Sequence, residues 1–242
     1  MKIGILSDIH GNLAALQAVL AAIEPLHCVK LLCCGDIVGY GASPKECVEL
    51  VRRHGMLCAR GNHDDMMTNI GREGILREEV QDAIQWTRQQ LSPEDREWLG
   101  GLPRVIAYAG IEATHASHVL RPEWHYVMDI PGLMGNLLFQ TTPISFIGHT
   151  HVPFLGLHQR GHRPRMIMLR DLGLPRNHRC VINVGSVGQP RDRRPEAAFV
   201  TFETRDREIA VHRVPYDIAD SQRRIREAGL PDAFARRLAD GR

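Results

Sequence analysis

The sequence predicts an α/β fold built on a parallel sheet, and two observations carry that prediction. Apolar runs at Lys2 to Leu6, Val29 to Cys34 and Met56 to Ala59 have the length and continuity of buried strands. Amphipathic stretches separate them, giving strand, helix, strand, helix, strand. A third observation places the chemistry. Each run ends abruptly in polar residues: Ser7 to Asn12, Gly35-Asp36, and Arg60-Gly61-Asn62-His63-Asp64. Ligands of open α/β sheets gather at the carboxyl ends of strands. Asp8, His10, Asp36, Asn62 and His63 are therefore expected around one crevice.

The elements follow in order. Asn12 caps a helix over Leu13 to Ile23, whose inner face is Leu13, Leu16, Val19, Leu20 and Ile23. Ser43-Pro44 starts a second helix, with Glu46 completing a capping box and the end near Arg53. From Arg72 to Leu91 the pattern is helical, with Leu76, Val80, Ile84 and Leu91 inward. Ser92-Pro93 caps a further short helix. Arg104 to Tyr108 and Ile111 to Thr114 read as a hairpin around Gly110, and its second strand delivers His115. Ser117 to Asp129 reads as a loop near the site. A helix over Pro131 to Gln140 precedes the strand Ile144 to Ile147, which delivers Gly148-His149-Thr150-His151. Strands follow at Arg165 to Leu169, Cys180 to Val184, Ala197 to Phe202 and Glu208 to Val214, with a weakly specified loop from Arg170 to Arg179. The tail, about 217–238, is an amphipathic helix broken at Gly229-Leu230-Pro231. No repeat or linker divides the chain, so residues 1–242 are read as one domain.

Composition narrows the function. The chain has 242 residues, is 43% hydrophobic and carries a net charge of +2, so no global charge argues for nucleic acid or a membrane surface. No apolar run reaches the roughly 18 residues of a membrane span, and no signal-peptide pattern is present. A cytoplasmic protein is expected. The six cysteines lack zinc-type spacing and mostly sit in apolar runs, which reads as buried reduced thiols.

Asp8, His10, Asp36, Asn62, His115, His149 and His151 put oxygen and nitrogen donors at strand ends without thiolate. That set suits two divalent transition-metal ions, manganese first, with iron, zinc or nickel open. Two nearby cations need a bridging anion, and Asp36 is central enough in the strand order to supply it. Asp8 with His10, and His149 with His151, are two residues apart and are expected to point the same way as they leave a strand. Two metals can activate water and clamp phosphoryl oxygens. His63 is placed to protonate a leaving oxygen or bind a phosphoryl oxygen, with Asp64 orienting it.

The five blocks Asp8-Ile9-His10, Gly35-Asp36, Gly61-Asn62-His63-Asp64, His115 and Gly148-His149-Thr150-His151, in that order, resemble the calcineurin-like metallophosphoesterase superfamily, in its small, uncapped bacterial and archaeal branch. Further likeness lies in Gly185 to Asp192 and Ala228 to Leu238. The resemblance implies a four-layer α/β/β/α sandwich. It implies a dinuclear centre with Asp8, His10, Asp36 and His151 on one metal and Asp36, Asn62, His115 and His149 on the other. It also implies His63 as the acid or phosphate-binding histidine and attack by a metal-bridging hydroxide. Two departures matter. Gly39 and Tyr40 replace the Asp and Arg that protein phosphatases carry, and Ala116 replaces the glycine usual after His115.

The expected function is a dinuclear metal-dependent phosphoesterase, a phosphodiesterase in preference to a phosphomonoesterase or dinucleoside-polyphosphate hydrolase. The reading from another class is a non-enzymatic interaction module. The partner is a small phosphate ester or nucleotide, and no nucleic-acid partner is expected. Asn12, Arg60, His118 and Arg191 are further substrate-binding candidates. Asn12 is equally a helix cap, Arg60 a salt-bridge residue and His118 a surface histidine. The arginines at 223, 224, 226, 236 and 237 read as a solvated helix face. Substrate choice is expected to lie in loops 66–75 and 117–130, and an oligomer is open.

Overall fold

The computed structural model describes residues 1–68, 76–119 and 123–242. Strands β1 (Lys2–Leu6), β2 (Lys30–Cys33) and β3 (Leu57–Cys58) run parallel, joined by helices α1 (Leu13–Ile23) and α2 (Pro44–Arg53). Helices α3 (Asn62–Asp65), α4 (Glu78–Gln90) and α5 (Pro93–Gly101) follow. The hairpin β4 (Val105–Tyr108) and β5 (Ile111–Thr114) turns at Ala109-Gly110, both with positive φ. Then come α6 (Ile130–Phe139), β6 (Ile144–Ile147), β7 (Phe154–His158), β8 (Arg165–Met168), β9 (Leu172–Gly173), β10 (Arg179–Asn183), β11 (Ala197–Glu203) and β12 (Glu208–Val214). Helices α7 (Ile218–Glu227) and α8 (Asp232–Asp240) close the chain.

The strands form two six-stranded sheets, β3-β2-β1-β11-β12-β9 and β4-β5-β6-β10-β7-β8. Alternation sorts their side chains. Ile3 and Ile5 of β1 meet Phe146 of β6 and Cys180 and Ile182 of β10 in a core between the sheets. Leu6 packs outward with Leu16 and Val19 of α1 and Val48 and Val51 of α2. On the opposite side, Ile147 and Val181 pack against Leu133 and Leu137 of α6. The layers are helix, sheet, sheet, helix, as the family likeness implied. Strands β1, β2 and β3 are parallel in one sheet, and β5 and β6 are parallel in the other. Their carboxyl ends deliver the polar blocks.

Several elements differ from the sequence reading. Strand β7 was not expected; Val152-Pro153 masks its start, yet it pairs antiparallel with β10 over five residues. Strand β9 emerges from the weakly specified loop as a two-residue edge. Helix α4 begins at Glu78, and the expected turn at 72–75 lies outside the described residues. Pro44 does start α2, but the Ser43 side chain makes no capping bond. Asn12 does cap α1, accepting from the Ala15 amide at 3.2 Å. The six cysteines are all free thiols, and five are buried. No described helix is long and apolar enough to cross a membrane.

Phe202 of β11 is 1% exposed, and its ring centroid lies 5.7 Å from that of Phe146 across the two sheets. Truncation there opens a cavity that neither sheet can close. Phe202→Ala is expected to lower unfolding free energy by about 3–5 kcal/mol in urea denaturation. A loss below about 1 kcal/mol would show that the inter-sheet core is not close-packed.

Candidate metal centre and active-site cleft

The site is assembled from turns held in an unusual backbone conformation. Asp8, His10, Asp36, His149 and His151 all have left-handed φ, between 49° and 68°. Each costs roughly 1–2 kcal/mol for a residue with a Cβ, although Asp and His tolerate it better than most. Hydrogen bonds across the site hold these turns. The Asp8 amide donates to the Gly35 carbonyl at 2.9 Å and the His10 amide to the Asp36 carbonyl at 3.0 Å. The His149 amide donates to the Asp8 carboxylate at 3.0 Å. The expected strand alternation is not what aims these pairs. β1 ends at Leu6 and β6 at Ile147, and successive left-handed turns do the aiming instead. Gly148 sits where the two sheets meet, and a Cβ there would collide with Ser7 and the Asp8 carboxylate.

The seven expected ligand side chains converge. His151 Nε2 lies 3.1 Å from Asp8 Oδ1, and His10 Nε2 lies 3.7 Å from both Asp8 Oδ1 and Asp36 Oδ2. His115 Nε2 lies 3.1 Å from Asp36 Oδ2, 3.0 Å from Asn62 Oδ1 and 3.1 Å from His149 Nδ1. Asp36 joins both a group with His10 and His63 and a group with His115 and His149, while Asp8, His10 and His151 form a third.

Whether cations fit here can be judged from the rings. His10 Nδ1 donates to the Val38 carbonyl at 3.2 Å, His115 Nδ1 to Cys34 at 3.2 Å and His151 Nδ1 to Gln189 at 2.6 Å. His149 Nε2 donates to the Trp124 carbonyl at 3.3 Å. A carbonyl can only accept, so each outer nitrogen carries the proton. In the neutral ring each inner nitrogen is then left to present a lone pair, the arrangement found around metal-ligating histidines. Inner nitrogens face one another: His10 Nε2 and His151 Nε2 are 3.0 Å apart. The donor set fits divalent cations.

The electrostatics agree. Burial opposes ionisation of Asp8 and Asp36, but His151 and His115 lead the imidazoles that outweigh it and hold both carboxyls well below the usual range. Burial pushes His63 and His149 down to about 3 and His151 down to about 4. Burial also acts against His115, yet Asp36, Asp8 and Asp64 lift it to about 9. The field at His115 Nε2 favours positive charge, whether proton or metal.

The remaining candidates take other places. Asp64 does not orient His63. Its carboxylate accepts from the amides of Asp36 at 2.9 Å, Ile37 at 2.9 Å, Val38 at 3.4 Å and Gly61 at 3.0 Å, tying the second block to the third. Burial and the Asp36 charge raise it to about 7 against those donors. His63 Nδ1 is buried without a hydrogen-bond partner, and its ring occupies space that any side chain at Gly39 would fill. Arg60 bonds to the Gly100 carbonyl and lies 3.3 Å from Asp65, which is the salt-bridge alternative rather than a substrate contact. His118 is buried between Glu112 at 3.2 Å and Asn136 at 3.2 Å, and burial lowers it; it is neither a surface residue nor part of the cluster. Asn12 is fully engaged as cap, as donor to the Gly188 carbonyl at 2.9 Å and as acceptor from Ser221 at 2.9 Å. The stretch from Gly185 to Asp192 clasps the site: Ser186 Oγ donates to the Asp8 carbonyl at 2.8 Å, and the Gln189 carbonyl anchors His151. Ala116 is buried without a left-handed φ, so its departure from glycine brings no strain.

A cleft of about 430 Å³ opens over the cluster, lined in part by Asp36, Tyr40, His63, Tyr126, Arg191 and Arg237. Tyr126 stacks on His149 at 3.9 Å between centroids, and Trp124 meets His115 edge-on at 5.8 Å. The aromatic character of the 117–129 loop was the sequence signal for these two. Arg237 carried none, because its spacing on the tail is that of any amphipathic helix. Of the loops expected to set substrate choice, 69–75 and 120–122 lie outside the described residues.

Comparison with known proteins gives a consistent picture. The sequence model of the calcineurin-like phosphoesterase superfamily domain matches residues 1–207. The chain is 35% identical over 254 residues to an uncharacterized protein, MJ0912, of Methanocaldococcus jannaschii, covering 99% of this chain and 98% of that one. A crystal structure of a metallophosphoesterase from Sphaerobacter thermophilus superposes with a TM-score of 0.86 at 36% identity, covering 100% of this chain and 99% of that chain. A hypothetical protein of Pyrococcus horikoshii OT3 shares the fold, with a TM-score of 0.81 at 20% identity and 100% and 98% coverage.

The Asp64 hydrogen bonds generate a test. Asp64→Asn turns an amide donor toward amide donors, so the metal-free protein is expected to lose about 1–3 kcal/mol of stability. Hydrogen exchange at the amides of Asp36, Ile37 and Gly61 is expected to accelerate. Unchanged protection at all three would contradict the fastening role.

Proposed function

We propose, for a chain that belongs to the calcineurin-like phosphoesterase superfamily, that it is a dinuclear metal-dependent hydrolase of small phosphate esters, with diesters preferred over monoesters. The observation that carries the reading is the set of four imidazoles, each anchored by its outer nitrogen to a backbone carbonyl and turned inward beside Asp8 and Asp36. Asp8, His10, Asp36 and His151 would hold one ion, and Asp36, Asn62, His115 and His149 the other. Manganese is the favoured ion. Two such ions, when bound, supply an activated water and a clamp for phosphoryl oxygens.

The chain's own groups divide the remaining work. The Asn62 amide lies against the inner nitrogen of His115 and lines the cleft, where it can hold a phosphoryl oxygen. His63 borders the same cleft and is neutral near pH 7, since burial lowers it to about 3. A neutral imidazole still has one N–H to offer a phosphoryl or leaving oxygen, and a bound anion raises its proton affinity. Tyr40 sets a ring 4.6 Å from the His63 ring, where protein phosphatases place an arginine. An uncharged ester group is better accommodated there than a second charged oxygen, which supports diesters. The C-terminal helices belong to this working unit, because Phe234 of α8 packs 5.1 Å from the Tyr40 ring.

The test is hydrolysis of bis-p-nitrophenyl phosphate against p-nitrophenyl phosphate. Manganese-dependent turnover, abolished by chelator and faster on the diester, is expected, with His63→Ala lowering kcat about 10²–10⁴-fold. Faster turnover of the monoester would overturn the diester preference. No turnover of either ester by folded, metal-loaded protein would favour the interaction-module alternative.

A further inference from the structure

Helix α6 carries no charged residue along its length, Ile130–Phe139. Leu133 and Leu137 turn toward the sheet and pack on Ile147 and Val181. The outer side of such a helix is ordinarily polar, and a helix that is apolar all round is ordinarily buried. Here the outer side is open. Leu138 is 77% exposed and Phe139 53%. Ile130, Met134 and Leu138 are four residues apart and form one stripe along the helix flank. Met128, 70% exposed, stands ahead of the stripe. On the edge strand β8, Met166 packs with Leu133, so exposed Met168, two residues on, points to the same side of the sheet.

The small net charge conceals a local asymmetry on this face. Six arginines and one acidic residue lie between His158 and Arg179. Arg160, Arg176 and Arg179, with His158 and His178, rim a groove of about 800 Å³ whose apolar wall is Met134, Leu137 and Leu138. No carboxylate lines that groove among the described residues. Arg163 and Arg165 adjoin it around His178. Arg160, Arg163, Arg165 and Arg176 are exposed and have no carboxylate partner among the described residues. The tail differs: Arg223 and Arg224 pair with Asp220, and Arg226 and Arg236 with Asp232. Asp129, at the start of α6, is engaged as the helix cap, accepting from the Gly132 amide at 2.8 Å. Guanidinium forks match phosphate oxygens in shape and charge.

Together these properties choose the occupant. Projecting apolar side chains beside cations match a bilayer interface, where acyl chains begin beneath a layer of phosphates. A second copy fits less well, because a two-fold contact sets one patch against itself and brings the arginine rims together. An acidic peptide lying in the groove would leave Met128, Phe139 and Met168 uncovered, since none of them lines it. We propose that the α6 face docks onto an anionic phospholipid surface, with Met128, Leu138, Phe139 and Met168 entering the acyl boundary and Arg160, Arg163 and Arg176 meeting lipid phosphates. The inference is independent of the chemistry at the metal cluster. It bears on it in one respect: Tyr126, two residues before Met128, lines the metal cleft, so a docked chain carries the cleft beside the headgroup layer.

Cosedimentation of the full chain with vesicles of phosphatidylcholine alone, and of equimolar phosphatidylcholine and phosphatidylglycerol, tests this. At roughly 0.1 M salt, partitioning onto the mixed vesicles is expected to be about tenfold stronger, and to weaken as salt is raised. Leu138→Gln with Phe139→Gln, and separately Arg160→Gln with Arg176→Gln, are each expected to reduce that partitioning about tenfold. These positions are exposed, so thermal unfolding should be unchanged in both variants. Arg223→Gln, on the ion-paired tail, should retain full binding. Equal partitioning onto both vesicles, or a loss in Arg223→Gln as large as in the arginine pair, would overturn the proposal. Light scattering on the same samples sorts the other occupants. A stable dimer dissociated by the Leu138→Gln and Phe139→Gln changes would overturn it in favour of a second copy. A monomer that binds neither vesicle would overturn it in favour of an acidic protein partner.

Discussion

Two carboxylates ringed by inward-turned imidazole nitrogens cannot be held together in a dry crevice unless positive charge balances them. Asp8 and Asp36 are essentially inaccessible, and the inner nitrogens of His10, His115, His149 and His151 lie close to one another and to those carboxylates. An uncompensated buried charge is strongly unfavourable. The cluster is therefore arranged for cations, and much of the surrounding structure is arranged to hold the cluster.

That holding is distributed over both sheets. The first sheet contributes Asp8, His10, Asp36 and Asn62, and the second contributes His115, His149 and His151. Neither sheet contains the whole cluster, so their packing through Phe146 and Phe202 also sets the spacing of the site. The left-handed turns at five of these positions are local strain. The amides they expose are collected by Asp64, by the Asp8 carboxylate and by neighbouring carbonyls, while Ser186 takes up the Asp8 carbonyl. Replacement of one of the cluster histidines by alanine would leave these amide contacts in place, whereas loss of Asp64 would release them.

Much of this was legible in the sequence, for a physical reason. Buried parallel strands read as continuous apolar runs, and polar residues that interrupt them at a shared end must have a purpose. Asp8, His10, Asp36, Asn62, His115, His149 and His151 were visible on that basis, and the structure brings them together. What sequence could not provide was direction. Asp64 stands beside His63 in the chain but turns toward amides from another loop. Arg60 precedes Asn62 and His63 yet points at Asp65. His118 lies three residues past His115 and is drawn into a pocket made by Glu112 and Asn136. Arg237 lies far from every motif and reaches the cleft because α8 folds back onto Tyr40. Local pattern encodes strands and helices, while tertiary packing decides which side chains they present to the site.

The central claim is that two cations share Asp36. Anomalous scattering from manganese-soaked crystals tests it most directly. The account predicts two peaks. One should be bounded by Asp8, His10 and His151 and the other by Asn62, His115 and His149, with an Asp36 oxygen reaching each. A single peak, or two peaks with Asp36 bound to only one, would contradict it.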